Sequence, residues 1–376
     1  MTENGGTMPP RVVAFTDTYL PTVNGVTYTI EAWRDGWAER GGRMDVVYPG
    51  NAGHEPGPGE YPVRSLPFPF YDGFRVGLPQ VPSEVDGADV VHLHGPFALG
   101  VAGLRLARRT DAPVVASYHT PSGNYADYLT SRDRVARGIE GVARRYEGWF
   151  FDRADVVLAP SPVTAEALRD DLGVSTEVEV VPNGVDTERF SPTAGDAFRE
   201  RYDLGDGPLV GYTGRHGYEK RLGDLVAAAD GLDATVVFGG DGPARRDLEE
   251  SAADVDDGVH FLGFLDRAEL PAFYSALDVF AFPSPVETQG LVALEANACG
   301  TPVVGADSGA LADTVVDGVT GYHFETGDPD SFRSAIRRAL DERETLSANC
   351  LDRRADVSVD HAIDRLAAVY RRALEN

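Results

Sequence analysis

Apolar residues along this chain fall in short, nearly continuous runs, each followed by a longer stretch in which they recur every three or four positions. Continuous runs suit strands buried on both faces and the spaced ones suit helices covering them, so the pattern predicts parallel sheets in α/β layers. In the first half RVVAF (11–15), MDVVYP (44–49), DVVHLH (89–94), PVVASYH (113–119), DVVLAPS (155–161) and EVVP (179–182) read as strands. In the second half PLVGYTG (208–214), ATVVFGG (234–240), VHFLG (259–263), DVFAFPS (278–284), TPVVGA (301–306) and GYHF (321–324) do so. Each set suffices for its own doubly wound sheet. PNGVDTERFSP (182–192) separates them, with proline near both ends and turn residues inside, and is the expected linker. The reading is therefore α/β: two Rossmann-like domains over 10–185 and 193–355 that face a cleft, with ligand at the carboxyl ends of the strands. A C-terminal helix over 356–376 is free to pack on either domain, the N-terminal one included. A length of 376 residues agrees with two domains of about 150 to 200 residues each.

Charge narrows the function. Sixty acidic residues face 34 basic ones, a net charge of −26 spread along the chain, which argues against a nucleic-acid binder. Only one of those 34, Lys220, is a lysine. Diffuse acidity with so little lysine suits a halophile's protein, where hydrated carboxylates keep it in solution and multimolar salt shortens repulsion. The opening MTENGGTMPPRVVAF has no basic segment followed by an apolar one, and no window holds 18 consecutive apolar residues. The expectation is a cytoplasmic protein without a membrane span. Cys299 and Cys350 are too few for a disulfide framework or a structural zinc site, and read as reduced thiols.

The single lysine lies in GRHGYEKR (214–221), where the strand PLVGYTG ends. Arg215 and Lys220 flank a tight turn there, and two converging cations suit a diphosphate: guanidinium offers a planar fork, ammonium a compact point charge. In PSPVETQGLVALEANACGTPVVG (283–305) a loop carries Glu287, and a helix from about Gly290 to Ala298, ended by Gly300 and Pro302, carries Glu295. The amides of Gln289, Gly290 and Leu291 at the helix start form an anion site. The two carboxylates call for a neutral partner, and vicinal sugar hydroxyls fit.

Arg215 and Lys220, the E-x7-E pair Glu287 and Glu295, and TDTYLPTVNGV (16–26) together resemble the retaining glycosyltransferases of family 4, which have the two-domain GT-B fold. The resemblance covers nearly the whole chain beyond the first ten residues. It implies a nucleotide-diphosphate sugar, UDP- or GDP-linked, as substrate and no essential metal or other cofactor. Arg215 and Lys220 would hold the diphosphate and stabilise the leaving group, Glu287 would face the transferred sugar, and Glu295 the ribose. The amides of 289–291 would meet sugar and phosphate, the turn Asn24-Gly25-Val26 would approach the diphosphate, and backbone near Phe264 and Leu265 would meet the base. His119 would hydrogen-bond the donor sugar and stabilise developing positive charge. Family members keep the anomeric configuration of the sugar, with no protein nucleophile. TDTYLPTVNGV and ETQG also resemble the branch that glycosylates glycerolipids, which implies a lipid acceptor. Gln289 stands where many members have phenylalanine, and SGALAD (308–313) carries Ala310 and Asp313 where glycine and glutamate are usual.

Other features find weaker roles. His92 and His94 share one face of a strand, where zinc would need a third ligand, so they read as lining the acceptor cleft. Asp254-Val255-Asp256 has the letters of a metal motif but falls in a polar loop of an acid-rich chain. From Arg105 to Arg153 nine arginines face six acids, and with Trp149, Phe150 and Phe151 they suit either peripheral contact with anionic lipid or helix-face ion pairs over a buried aromatic cluster. Two other functions remain open on these residues: a sugar-nucleotide 2-epimerase of the same fold, and a non-catalytic donor-binding protein.

Overall fold

The computed structural model describes residues 8–68, 74–119, 133–253, 255 and 258–375, with 133–140 described by backbone alone. It separates into two compact units, Met1–Asn183 with Ala362–Asn376, and Gly184–His361.

The first unit holds β1 (Arg11–Phe15), β2 (Arg43–Pro49), β3 (Glu60–Val63), β4 (Ser65–Pro67), β5 (Arg75–Gly77), β6 (Val90–Leu93), β7 (Val114–Ser117), β8 (Val156–Ala159) and β9 (Val178–Val180). Seven of these form a parallel sheet in the order β3-β2-β1-β6-β7-β8-β9, and β4 pairs β5 antiparallel. Val12 to Phe15, Val90, Val91, Leu93 and Val115 are almost wholly buried, as strands covered on both faces require. Leu99, Leu106, Phe150, Phe151 and Leu168 pack onto them from helices.

The second unit holds β10 (Leu209–Thr213), β11 (Thr235–Gly239), β12 (Val259–Gly263), β13 (Val279–Phe282), β14 (Val303–Ala306) and β15 (Gly321–Phe324), all parallel, in the order β12-β11-β10-β13-β14-β15. Its core gathers Val210, Tyr212, Phe238, Phe280, Ala293 and Ile336. Strand order reverses between β1 and β6 in one unit and between β10 and β13 in the other. At such a switch point the connections leave to opposite sides and open a crevice at the carboxyl edge.

The alternating pattern locates twelve strands to within a few residues, but β3, β4 and β5 escape it. The sequence leading into β3, GHEPGPG (53–59), has the composition of a loop, and Pro62 within the strand is tolerated because β3 is the sheet edge. The C-terminal helix, Val359–Glu375, buries Ala362, Ile363, Leu366, Val369, Tyr370 and Ala373, an i, i+4, i+7 stripe. Tyr370 meets the edge of Trp37 at 5.3 Å in the first unit, and Arg40 pairs with Asp364 at 2.9 Å.

Candidate active site

In the second unit the switch point brings two distant segments together. β10 runs into Gly214, then a short 3-10 turn, Tyr218–Lys220, presents the lysine. β13 runs into the 283–290 loop. Lys220 Nζ and Glu287 Oε1 lie 2.5 Å apart, both largely buried although 67 positions apart in sequence. Arg215 donates through Nη2 to Glu219 Oε1 at 2.5 Å, an i, i+4 contact within the same turn. Each cation is thus held and oriented by a carboxylate. The lysine pairs with the residue read as facing the sugar.

The helix Leu291–Ala298 starts beside this pair. Gly290 is its N-cap at φ +77°, in the left-handed region, and no side chain caps it. A Cβ on Gly290 would lie 2.8 Å from Leu311 Cδ2, so only glycine fits. Gln289 is buried, with its carbonyl accepting from Thr314 Oγ1 at 2.6 Å. Between β10 and β11 the backbone closes tightly: a Cβ on Gly240, at φ +107°, would lie 2.0 Å from the Gly214 carbonyl oxygen.

Glu295, one turn into that helix, is only 7% exposed. Tyr274 donates its hydroxyl proton to Oε2 at 2.8 Å, while Arg267 lies 4.0 Å from Oε1. Burial pushes the carboxyl up to about 7, against the attraction of Arg267 and the tyrosine hydrogen bond. Of the pair read as meeting the base, Phe264 is 70% exposed, whereas Leu265 is buried against the Gly239 backbone. Tyr274, Arg267 and Glu219 were absent from the sequence reading; only Glu219 had a visible signal, its i+4 spacing from Arg215.

In the first unit Asn24 caps the helix Gly25–Glu39, its Oδ1 accepting from Thr27 N at 3.0 Å and its Nδ2 donating to Thr18 Oγ1 at 2.8 Å. Asn24 is therefore engaged by its own turn. His92, His94 and His119 stack in a row, with ring centroids 4.2 Å and 5.2 Å apart, against Trp33. His94 Nδ1 and His119 Nε2 are 2.9 Å apart. Burial lowers His92 to about 3 and His119 to about 4, and His94 well below its ordinary value, so all three are neutral near pH 7.

One expectation needs correction here, and for two aromatic residues the buried alternative holds. His92 does not line a cleft: it is fully buried, with Nδ1 2.6 Å from the Tyr370 hydroxyl and Nε2 2.8 Å from Ser117 Oγ, because the C-terminal helix seals that face of the sheet. Phe150 and Phe151 belong to the core, since their helix, Asp133–Phe151, turns them inward; Val142, Tyr146 and Trp149 instead form its exposed apolar stripe. The Arg153 guanidinium sits 3.6 Å over the Trp149 ring, and Arg109 and Arg144 pair with Asp86 and Asp171. Arg132, Asp127, Asp254 and Asp256, and the side chains of Asp133, Arg134, Arg137 and Glu140, lie outside the described residues. Among the described residues no three His, Cys, Asp or Glu side chains converge as a metal site, and no helix is long and apolar enough to cross a membrane. Cys299 and Cys350 are buried and unpaired, with thiols pushed up to about 12 by burial.

Comparison with known proteins agrees with this architecture. Residues 23–189 match the family model Glycosyltransferase Family 4, and residues 196–352 the model Glycosyl transferases group 1. The chain is 33% identical to sulfoquinovosyl transferase SQD2 of Arabidopsis thaliana over 75% of its own length, and spans 56% of that protein. It is 32% identical to a GDP-mannose-dependent alpha-mannosyltransferase of Mycolicibacterium smegmatis, covering 88% of each chain. It is 28% identical to the alpha-monoglucosyldiacylglycerol synthase of Streptococcus pneumoniae, over 96% of this chain and 85% of that one. In fold it is similar to sucrose-phosphate synthase from Thermosynechococcus elongatus, with a TM-score of 0.79 at 24% identity over 97% and 98% of the two chains. Anabaena HepE in complex with UDP-glucose gives a TM-score of 0.76 at 18% identity over 96% and 99%. Two parallel-sheet units of this kind are the GT-B fold, and the chain belongs to the group 1 glycosyltransferases, family 4.

Proposed function

We propose that this chain is a retaining hexosyltransferase that moves a hexose from a UDP- or GDP-linked sugar to a hydroxyl of a glycerolipid. The observation that carries the reading is the 2.5 Å pairing of Lys220 with Glu287 at the second unit's switch point, beside the uncapped helix start at Gly290. In this reading the diphosphate takes Lys220 and Arg215 as partners and the 289–291 amides contribute their dipoles. Glu287 accepts from hydroxyls of the transferred hexose, Glu295 from the ribose, and backbone at Phe264 and Leu265 meets the base. As the bond from the anomeric carbon to the diphosphate breaks, negative charge grows on phosphate oxygens already faced by guanidinium and ammonium. The acceptor oxygen bonds to the anomeric carbon on the same face, and its proton passes to the departing phosphate. The donor side needs no metal in this scheme.

The acceptor assignment is supported by the similarity to the alpha-monoglucosyldiacylglycerol synthase and by the helix Asp133–Phe151. Val142, Tyr146 and Trp149 offer an exposed apolar stripe, and Arg145 and Arg153 lie beside it, a pattern suited to peripheral contact with anionic lipid on the cytoplasmic face.

The experiment is a donor panel. Purified protein in high potassium chloride receives UDP- and GDP-hexoses with vesicles of anionic lipid containing diacylglycerol, and products are separated by chromatography. A glycolipid of unchanged anomeric configuration is the expected product. Epimerised nucleotide sugar formed without acceptor, or nucleotide binding without turnover, refutes the reading.

A further inference from the structure

The 283–290 loop does not hold its shape alone. β13 and β14 are parallel neighbours, so the segments that follow them leave the sheet side by side at its carboxyl edge. The segment after β14 reaches back onto the loop at alternate carbonyls. Ser308 donates through Oγ to Pro285 O at 3.4 Å, Ala310 N to Glu287 O at 3.2 Å, and Thr314 through Oγ1 to Gln289 O at 2.6 Å. The two backbones touch, since a Cβ on Gly309 would lie 2.7 Å from Pro285 O. Ala310 and Leu311 are fully buried, and Leu311 O lies 3.2 Å from His323 Nε2 in β15, which ties the short helix Leu311–Thr314 to the next strand.

The shortest of these contacts decides a backbone orientation. A trans peptide is planar, with its carbonyl and its N–H on opposite edges, so holding Gln289 O toward Thr314 turns the Gly290 N–H the other way. Glycine itself makes no such choice: without a Cβ it adopts either sign of φ at little cost, and the 289–290 peptide can turn over beside it. The orientation matters because Gly290 caps the helix Leu291–Ala298, whose first amides have no partner within the helix and no capping side chain. Thr314 is half-buried, and its hydroxyl selects one of the two orientations. Valine in its place would keep the shape and take this donor away from Gln289 O.

We propose that Thr314 is a positioning residue for the donor's diphosphate: its hydroxyl, acting through Gln289 O, turns the Gly290 amide toward the phosphates. Thr314 itself touches no substrate. The assignment rests on the reading above that the 289–291 amides meet the donor, and it gives SGALAD (308–313), with the threonine that follows it, a part in that site.

The test compares the full chain with its Thr314→Val and Thr314→Ser variants. Binding of UDP and GDP is measured by titration calorimetry, binding of uridine and guanosine serves as the phosphate-free control, and kcat and KM are taken with the donor and acceptor that the unsubstituted protein uses. For the nucleoside diphosphate that binds, Thr314→Val raises the dissociation constant at least about fivefold and lowers kcat at least about tenfold, because charge on the phosphates grows as the glycosidic bond breaks. Affinity for the matching nucleoside stays within about twofold, and Thr314→Ser, which keeps the hydroxyl and loses the methyl, brings diphosphate affinity and kcat back to within about threefold. A smaller loss in Thr314→Val, an equal loss in Thr314→Ser, or a parallel loss for the nucleoside overturns the assignment. Failure of Thr314→Val to fold makes the hydroxyl structural and overturns it too. If the unsubstituted protein binds neither UDP nor GDP, the transfer reading falls and this proposal with it; if it binds one and the valine variant binds it equally well, this proposal falls alone.

Discussion

Glu295→Gln separates the cost of the donor site from its use. The carboxyl is buried, and its titration rises from an ordinary 4.5 to about 7 because burial outweighs Arg267 and Tyr274. A folded-state value above the unfolded one means that the folded protein holds this proton more tightly. The group therefore favours folding below about pH 4.5, loses that advantage as pH climbs toward 7, and weighs against the fold at higher pH. A displacement of that size corresponds to about 3 kcal/mol. Glutamine keeps the acceptor for Tyr274 but gives up the attraction to Arg267, which brings the expected gain at pH 8 to about 1–3 kcal/mol. For a unit of this size that is a rise of about 2–4 °C in melting temperature per kcal/mol. The assay is thermal unfolding of both proteins at pH 5 and pH 8, with UDP and GDP binding by titration calorimetry on the same samples. The variant melts higher at pH 8, differs less at pH 5, and binds nucleotide at least tenfold more weakly. Identical pH profiles for the two proteins, or unchanged nucleotide affinity, would refute the reasoning.

Two further outcomes follow from the same site. Lys220→Ala and Arg215→Ala each lower transfer at least about a hundredfold, as loss of a charge-assisted contact to a leaving group should, measured as kcat on the donor found by the panel; near-normal turnover in either removes that residue from the site. Gly290→Ala puts a methyl 2.8 Å from Leu311 Cδ2 at φ +77°, so it destabilises the second unit by about 1–3 kcal/mol in urea unfolding, and a stability equal to that of the unsubstituted protein would count against the cap geometry.

How much of this was legible beforehand depends on how local each determinant is. The run RVVAF coincides with β1, and DVFAFPS contains β13, because a central strand covered on both faces is apolar along nearly its whole length, a demand that a few residues reveal. The helix start near Gly290 is legible in the same local way, whereas the cap that Asn24 makes three residues on appears only in the structure. β3 was hidden, since an edge strand tolerates the Pro and Gly that read as a loop. Which partner each charge takes was hidden as well: Lys220 meets Glu287 across 67 positions, and His92 reaches Tyr370 across 278. Strand order makes those meetings, and no periodicity encodes it. The sequence alone determined the α/β alternation and the turn chemistry, and it named the residues proposed to bind phosphate and hydroxyls. Only the tertiary structure decided that Glu295 and Asp17 are buried deeply enough to titrate near 7 and that His92 is sealed under a helix, because desolvation depends on what the whole chain packs around a group.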